Sequence, residues 1–362
     1  LRTAIGKGCF DRMTEETAKT ERYQNLDGLR AFACLGILAM HLNVLGAYSL
    51  GKTVGTVINA GNELVPLFLM LSGFGMFCGY YERFRNGSVN YNGFYAKRYR
   101  RILPFFALMI LIDVIAEHSA AHLIQGLAEL TLAFGLLPNN QLDCIGVGWT
   151  LGVIFLFYML FPFFVFLCWS KRRAWISCCI AIALSLLCSA YFFTERFVVS
   201  GFINRQTFLY CAPFFTAGGN IFLHKDMVRQ IVSRHKFVCL AVCLAATVLW
   251  FFLPVQAGPV DLLLLKNLFV SALWLCYAVG CESRLLSSRP VAYLGSISLE
   301  IYLAQMLTIR LLQRSGVLKT LGDGWLGYLL AYLVAVLILI TGIAIYRRCA
   351  KMCAAWLEKK RS

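Results

Sequence analysis

Asp27, Arg30 and His41 fall where one helix would bring them into line. Asp27 and Arg30 are three residues apart and can pair across a single turn. Arg30 and His41 are eleven steps apart, about 1100° of helical rotation and only about 20° from whole turns. Asp27 and His41 are about 40° out of phase by the same arithmetic. At 1.5 Å per residue, His41 would lie about 16 Å deeper than Arg30. The intervening residues, Ala31 to Met40, are almost wholly apolar. An imidazole at such a depth, on a polar stripe that starts at an ion pair, suits general-base work. The simpler alternative is a histidine that packs between helices and bonds to a neighbour. An ionisable group inside an apolar helix favours the functional reading.

Arg98 and Arg101 form a second candidate pair. They precede an apolar run, so they would serve as anchors at a membrane surface. Guanidinium groups at such a mouth also bind phosphate in bidentate fashion. His118 and His122 are four residues apart, as metal ligands on one helix face are, but the order is Glu-His-x-x-x-His and no metal is expected. His224 and His235 lie in a basic loop and should be solvated, while Asp261 and Lys266 can pair or snorkel near a helix end. Trp149 opens an apolar segment, where an aromatic-belt role and a substrate contact fit equally.

The elements that must carry these residues follow from composition. The chain has 362 residues, 59% hydrophobic and 14% charged, against about a quarter charged in a soluble domain. Apolar segments fall near 28–48, 63–81, 102–138, 146–169, 174–194, 205–223, 237–254, 260–281, 291–313 and 325–346. Their length is that of transmembrane helices, and their continuity excludes barrel strands. The net charge of +16 would suggest nucleic acid in a soluble protein; here the basic residues belong to loops. If 102–138 crosses once, with its remainder re-entrant or interfacial, 26 of the 34 basic residues lie in loops on one side and five on the other. A double crossing would turn Lys171, Arg172 and Arg173 and the basic tail outward. The asymmetry predicts an all-α integral membrane fold of about ten transmembrane helices with both termini cytoplasmic. Residues 1–25 form a polar arm with no cleavable signal evident, 26–346 the membrane domain and 347–362 a basic tail. The fifteen cysteines sit mostly in apolar runs without paired spacing, as packing residues do.

Five segments, in order, resemble signatures of the acyltransferase-3 family of membrane O-acyltransferases. Leu26 to His41 is similar to its opening pattern, L-D-G-L-R-A-x-A with a histidine eleven residues after the arginine. Val65 to Phe74 resembles its L-S-G-F helix, and Phe94 to Pro104 its F-x-x-x-R-x-x-R-I-x-P. Trp149 to Pro162 resembles W-[ST]-L-x-x-E-x-x-F-Y-L-x-x-P, and Leu294 to Leu303 resembles L-G-x-I-S-x-x-[IL]-Y-L. Two positions depart from the pattern. The glutamate of the fourth signature falls at Ile154, and a histidine that often ends the fifth falls at Gln305. Glu300, in the same helix as Gln305, is either a stand-in or a polar helix–helix contact.

The resemblance implies a ten-helix membrane acyltransferase. It implies acetyl-CoA, or another acyl-CoA, as donor from the cytoplasm, a carbohydrate or glycolipid hydroxyl as acceptor, and no metal. Arg98 and Arg101 would meet the donor's phosphates, and Asp27, Arg30 and His41 would line the path to the chemistry. Tyr158, Trp149, Glu300 and Gln305 are the weaker cavity candidates. The expected setting is the plasma membrane and its lipid, with no nucleic acid partner. Sixteen residues follow the last apolar segment, so the soluble helper domain common in the family is expected as a separate protein; a homo-oligomer is also compatible. Two rival classes share the same features: a glycolipid or polysaccharide transporter or flippase, and a non-catalytic scaffold of a polysaccharide-synthesis complex.

Overall fold

The computed structural model describes residues 23–137, 142 and 144–361. The polar arm up to residue 22 and residues 138–141 and 143 lie outside the described residues. The first helix, α1 (Gln24–Gly46), is unbroken and closes on Ala47, whose left-handed backbone returns its amide to the Asn43 carbonyl. A short α2 (Lys52–Asn59) and a 3-10 turn (Ala60–Leu64) lead into α3 (Val65–Arg85).

The awkward stretch 102–138 resolves into two helices. The first, α4 (Tyr91–Glu117), starts well before the apolar run, because the basic turn around Arg98 continues the same helix. It ends where His118 takes a left-handed conformation with φ 50°. The second, α5 (Ala120–Leu130), folds back against it. Its 11 residues reach only about 16 Å, too short to cross a bilayer. His118 and His122 therefore belong to different elements. The expected shared helix face does not exist, because the chain turns between them.

The remaining spans contain breaks that hydropathy does not mark. Helix α6 (Trp149–Met159) bends 60° into α7 (Phe161–Leu167), whose first turn holds Pro162. Next come α8 (Lys171–Leu187) and α9 (Phe208–Leu223). Then α10 (Lys225–Arg234) meets α11 (Lys236–Phe252) at 101°. A hairpin of two-residue strands, β1 (Gln256–Ala257) and β2 (Val260–Asp261), precedes α12 (Leu262–Gly280). Finally α13 (Arg289–Ser296) bends 69° into α14 (Ser298–Arg314), followed by α15 (Val317–Leu321) and α16 (Trp325–Arg361).

Among the described residues, five helical stretches are long and apolar enough to cross a membrane, and up to eight if each bent pair is one span. Many large apolar side chains point outward, including Phe237, Phe252, Val238 and, along one stripe of α16, Leu326, Leu333 and Leu337. A surface of this kind suits hydrocarbon rather than water. The protein is a multi-pass helical membrane protein.

Two apolar clusters make the core. One gathers α3, α9 and α12 with the start of α1; the other gathers the rest of α1 with α4, α14 and α16. Close backbone approach sets the frame around the candidate site. A Cβ on Gly28 would meet the Leu286 carbonyl at 2.5 Å, and one on Gly295 would overlap the Asp27 carbonyl. Gly73 and Gly218 do the same for α3 against α9. Only glycine permits these crossings. Tyr328 and Tyr332 of α16 donate to the Ala39 and Leu35 carbonyls of α1, at 3.0 and 3.2 Å, and hold its deep half in place.

Candidate active-site cavity

Because α1 is continuous, its polar stripe survives folding. Arg30 Nη1 lies 2.9 Å from Asp27 Oδ1, so the pair across one turn is present. The pair is anchored where the Gly28 and Gly295 contacts lock α1 to α13. Arg30 then faces a cavity of about 320 Å³ at the seam between the two apolar clusters.

The mouth of this cavity is cationic. Arg30, Lys97, Arg98 and Arg101 line it, and no acidic residue does. Arg30 lies within electrostatic range of Arg101 and Tyr158. Lys97 and Arg101 are one turn apart on α4, so both reach the same opening. Neither is paired with a carboxylate among the described residues. Arg30 is answered by Asp27, but Lys97, Arg98 and Arg101, brought together without counter-charge of their own, repel one another unless an anion joins them.

Arg98 is arranged differently from Arg101. It is buried, its Nη1 donates to the Phe94 carbonyl at 3.1 Å and its Nη2 reaches Met76 Sδ at 3.1 Å. Its guanidinium stacks on the rings of Phe94 and Tyr80, 4.1 and 4.2 Å from their centroids. Two faces and two donors are thus already engaged, whereas Arg101 is exposed at the mouth. The two arginines, equivalent in the sequence, are a cation fixed in the wall and a cation free to reach a ligand.

The inner end of the cavity is apolar, formed by Val65, Phe68, Leu69, Leu151 and Ile154, with hydroxyls from Ser72, Thr150, Ser298 and Tyr302. Ile154 stands in the wall itself, so the signature's carboxylate position contributes only hydrocarbon here. Tyr158 lines the cavity near its mouth side, as the sequence suggested.

His41 does not line this cavity. It lies one step deeper, against Gln305 of α14, the polar side chain that acts on its ring. Gln305 is fully buried, and neither its amide atoms nor His41 Nδ1 completes a hydrogen bond among the described residues. Tyr302, one turn before Gln305, lines the cavity and packs near Phe68, with ring centroids 6.1 Å apart.

Two candidates fall elsewhere. Trp149 lines a separate, small pocket of about 20 Å³ with Asn62, Glu63, Arg205 and Asn267. Val65 and Leu69 line both pockets and form the wall between them. Glu300 is bound to Arg347 of α16 through both Nε, at 3.0 Å, and Nη2. It is a polar tie between helices and does not face Gln305 as a replacement acid.

The cavity also contains residues that the sequence reading did not single out, chiefly Tyr80, Lys97, Thr150 and Tyr302. Lys97 had a signal, its i,i+4 relation to Arg101. Tyr80 had none, since only the crossing of α3 and α4 brings it under Arg98.

A helical membrane domain with a cation-lined cavity at one end of its first helix places the chain in a class, and comparison gives the family. The acyltransferase-3 family, described as an acyltransferase domain, matches residues 23–347. This chain belongs to that family. A Bacillus subtilis (strain 168) protein, named provisionally as peptidoglycan O-acetyltransferase YrhL, is 25% identical over 324 residues, which are 79% of this chain and 49% of the relative. Peptidoglycan O-acetyltransferase OatA of Listeria monocytogenes serovar 1/2a (strain ATCC BAA-679 / EGD-e) is 28% identical over 180 residues, 42% of this chain and 27% of the relative. The chain thus spans about half the length of the first of these relatives and less of the second. No solved structure matches it.

Proposed function

We propose that this chain transfers an acetyl group from acetyl-CoA, presented at the cytoplasmic side of the plasma membrane, to a hydroxyl of a carbohydrate or glycolipid on the other side. The observation that carries this reading is the cavity with four cationic and no acidic lining residues. A donor with several phosphates supplies the missing negative charge, and its uncharged arm fits the apolar interior. Arg101, Lys97 and Arg30 are the phosphate contacts; Arg98, held between Tyr80 and Phe94, supplies fixed positive potential. The names of the relatives support an acceptor of the cell-wall glycan type. Cytoplasmic termini, as the loop asymmetry expects, would put the cationic mouth on the donor's side.

His41 performs the transfer step. As a base it takes the proton of the acceptor hydroxyl while the oxygen attacks the thioester carbon, and the CoA thiolate leaves and is protonated. As a relay it forms an acyl-imidazole, releases CoA and then yields the acyl group to the hydroxyl. Gln305 holds the ring in either case.

The test uses the purified full chain and labelled acetyl-CoA. Slow hydrolysis or transfer that disappears in His41→Ala is the expected result. Absence of both in the unmutated protein, with donor binding intact, would leave a non-catalytic scaffold, the reading that Ile154 and Gln305 favour. Absence of donor binding as well would return the chain to the transporter class.

A further inference from the structure

At the far end of α4, about 22 Å along the helix from Arg98, a second cluster of ionisable groups has no part in the cavity. Asp113 is fully buried. Its Oδ2 lies 2.8 Å from His122 Nδ1 on α5, and its Oδ1 lies 2.7 Å from Arg310 Nη1 on α14. The Cys144 thiol completes a triangle: one ligand atom each from Asp113, His122 and Cys144 lies within 4.8 Å of the other two.

A fourth group points to a missing cation. Glu129 is also fully buried. Its Oε1 accepts from the Ile145 amide at 3.2 Å, directly beside Cys144. Its Oε2 has no hydrogen-bond partner among the described residues. The carboxylate lies within electrostatic range of both Asp113 and Cys144. Glu117 is not available to the group, because it is bound to Arg314 and Arg310 at 2.5 and 3.6 Å. Of the two buried carboxylates, only Asp113 is paired with an arginine among the described residues. A buried, unpaired carboxylate oxygen is among the costlier features a fold can carry.

We propose that Asp113, His122, Cys144 and Glu129 bind one zinc-like divalent ion. The charges then close. Two carboxylates and the Cys144 thiolate bring three negative charges; the ion and Arg310 bring three positive ones; His122 binds as the neutral imidazole through Nδ1. Binding releases the thiol proton to solvent, and no redox step is involved. Sulfur, nitrogen and carboxylate oxygen together are the donor set zinc prefers, whereas magnesium and calcium take oxygen alone. Tetrahedral zinc bonds of about 2.0–2.3 Å set ligand atoms roughly 3.3–3.7 Å apart, so Asp113 Oδ2 and His122 Nδ1, now 2.8 Å apart, would part slightly while the thiol closes in, a movement side-chain rotation can supply. Arg310 keeps an outer role, since it binds Asp113 and donates from Nη2 to the Cys144 carbonyl at 3.2 Å. The ion would staple α4, α5 and the segment entering α6, the elements that the turn at His118 leaves without continuous backbone support.

The test uses the full chain in detergent. The expected result is about one equivalent of zinc after purification, a stoichiometry typical of closed structural sites. Chelation should lower the melting midpoint, and zinc but not magnesium should restore it. Cobalt added to the chelated protein should give a thiolate-to-cobalt charge-transfer band. Cys144→Ser should abolish the band, and Glu129→Gln should keep it while weakening cobalt binding by roughly tenfold or more. If a variant fails to fold, the unmutated protein still decides. A melting midpoint indifferent to chelator, together with no charge-transfer band, overturns the proposal and leaves Glu129 protonated beside Cys144.

Discussion

The two ends of α4 handle charge in opposite ways. Near Arg98 and Arg101, four cations line an open cavity, and among the described residues only Arg30, through Asp27, has an acidic partner. Near Asp113, acids and arginines interlock, and Asp113 alone is held by His122 and Arg310. The first arrangement leaves its charge for something that arrives from outside. The second uses charge to hold helices together. Residue type does not distinguish them, since both contain arginine; the partner does.

This contrast can be broken most forcefully at the paired end. Arg310→Met leaves Asp113 buried opposite no arginine and should destabilise the protein by about 3–5 kcal/mol, as removal of one partner from a buried pair does. Thermal unfolding in detergent reads the loss. An Arg310→Met protein as stable as the original would mean that the Arg310–Asp113 pair does not hold these helices together.

Between the two ends lies His41. His41→Gln keeps the shape and hydrogen-bonding capacity of the site but cannot accept a proton or carry an acyl group. Acetyl transfer should drop on the order of a hundredfold or more, with donor binding and melting midpoint retained. Near-normal turnover in this variant would refute both the base and the relay chemistry.

At the unpaired end the same kind of substitution should behave in reverse. Arg101→Ala should raise the donor's apparent KM by roughly tenfold or more, the worth of a charge-assisted contact. Stability should not fall, because no buried partner is left behind. If only expression changes, Arg101 is a surface anchor. The smallest effect belongs to Arg314, which is 56% exposed while bound to Glu117. Arg314→Ala should cost less than about 1 kcal/mol and should matter still less at high salt.

How much of this was legible in advance depends on whether the informative contact was local. The Asp27–Arg30 pair and the phase of His41 followed from helical geometry alone, because α1 runs unbroken over the whole signature. The stretch 102–138 divides into a long helix and a short one that folds back on it. The turn at His118 was hidden, since no glycine or proline marks it and a non-glycine residue takes the left-handed conformation. His122 therefore found Asp113 instead of His118. Glu300 and Arg347 are separated by most of α14, α15 and half of α16, so only tertiary packing could unite them. The different states of Arg98 and Arg101 depend on Tyr80, which is contributed by another helix. Gln305 was noted as a departure from a pattern; its place against His41 appeared only in three dimensions.

The wall shared by Val65 and Leu69 has a consequence for permeability. Any protein that opens a route for part of a molecule across a bilayer risks opening it for protons and ions as well. Here the larger cavity and the smaller pocket meet back to back, separated by two aliphatic side chains one helical turn apart. A hydrated ion would have to shed its water against hydrocarbon to pass, and each charge moved through the membrane potential would dissipate about 2.3 kcal/mol per 100 mV. A compact acetyl group carries neither charge nor a hydration shell that must be stripped. The same two side chains thus keep hydrocarbon between the two spaces, a barrier of the kind that insulates a membrane's electrochemical gradient.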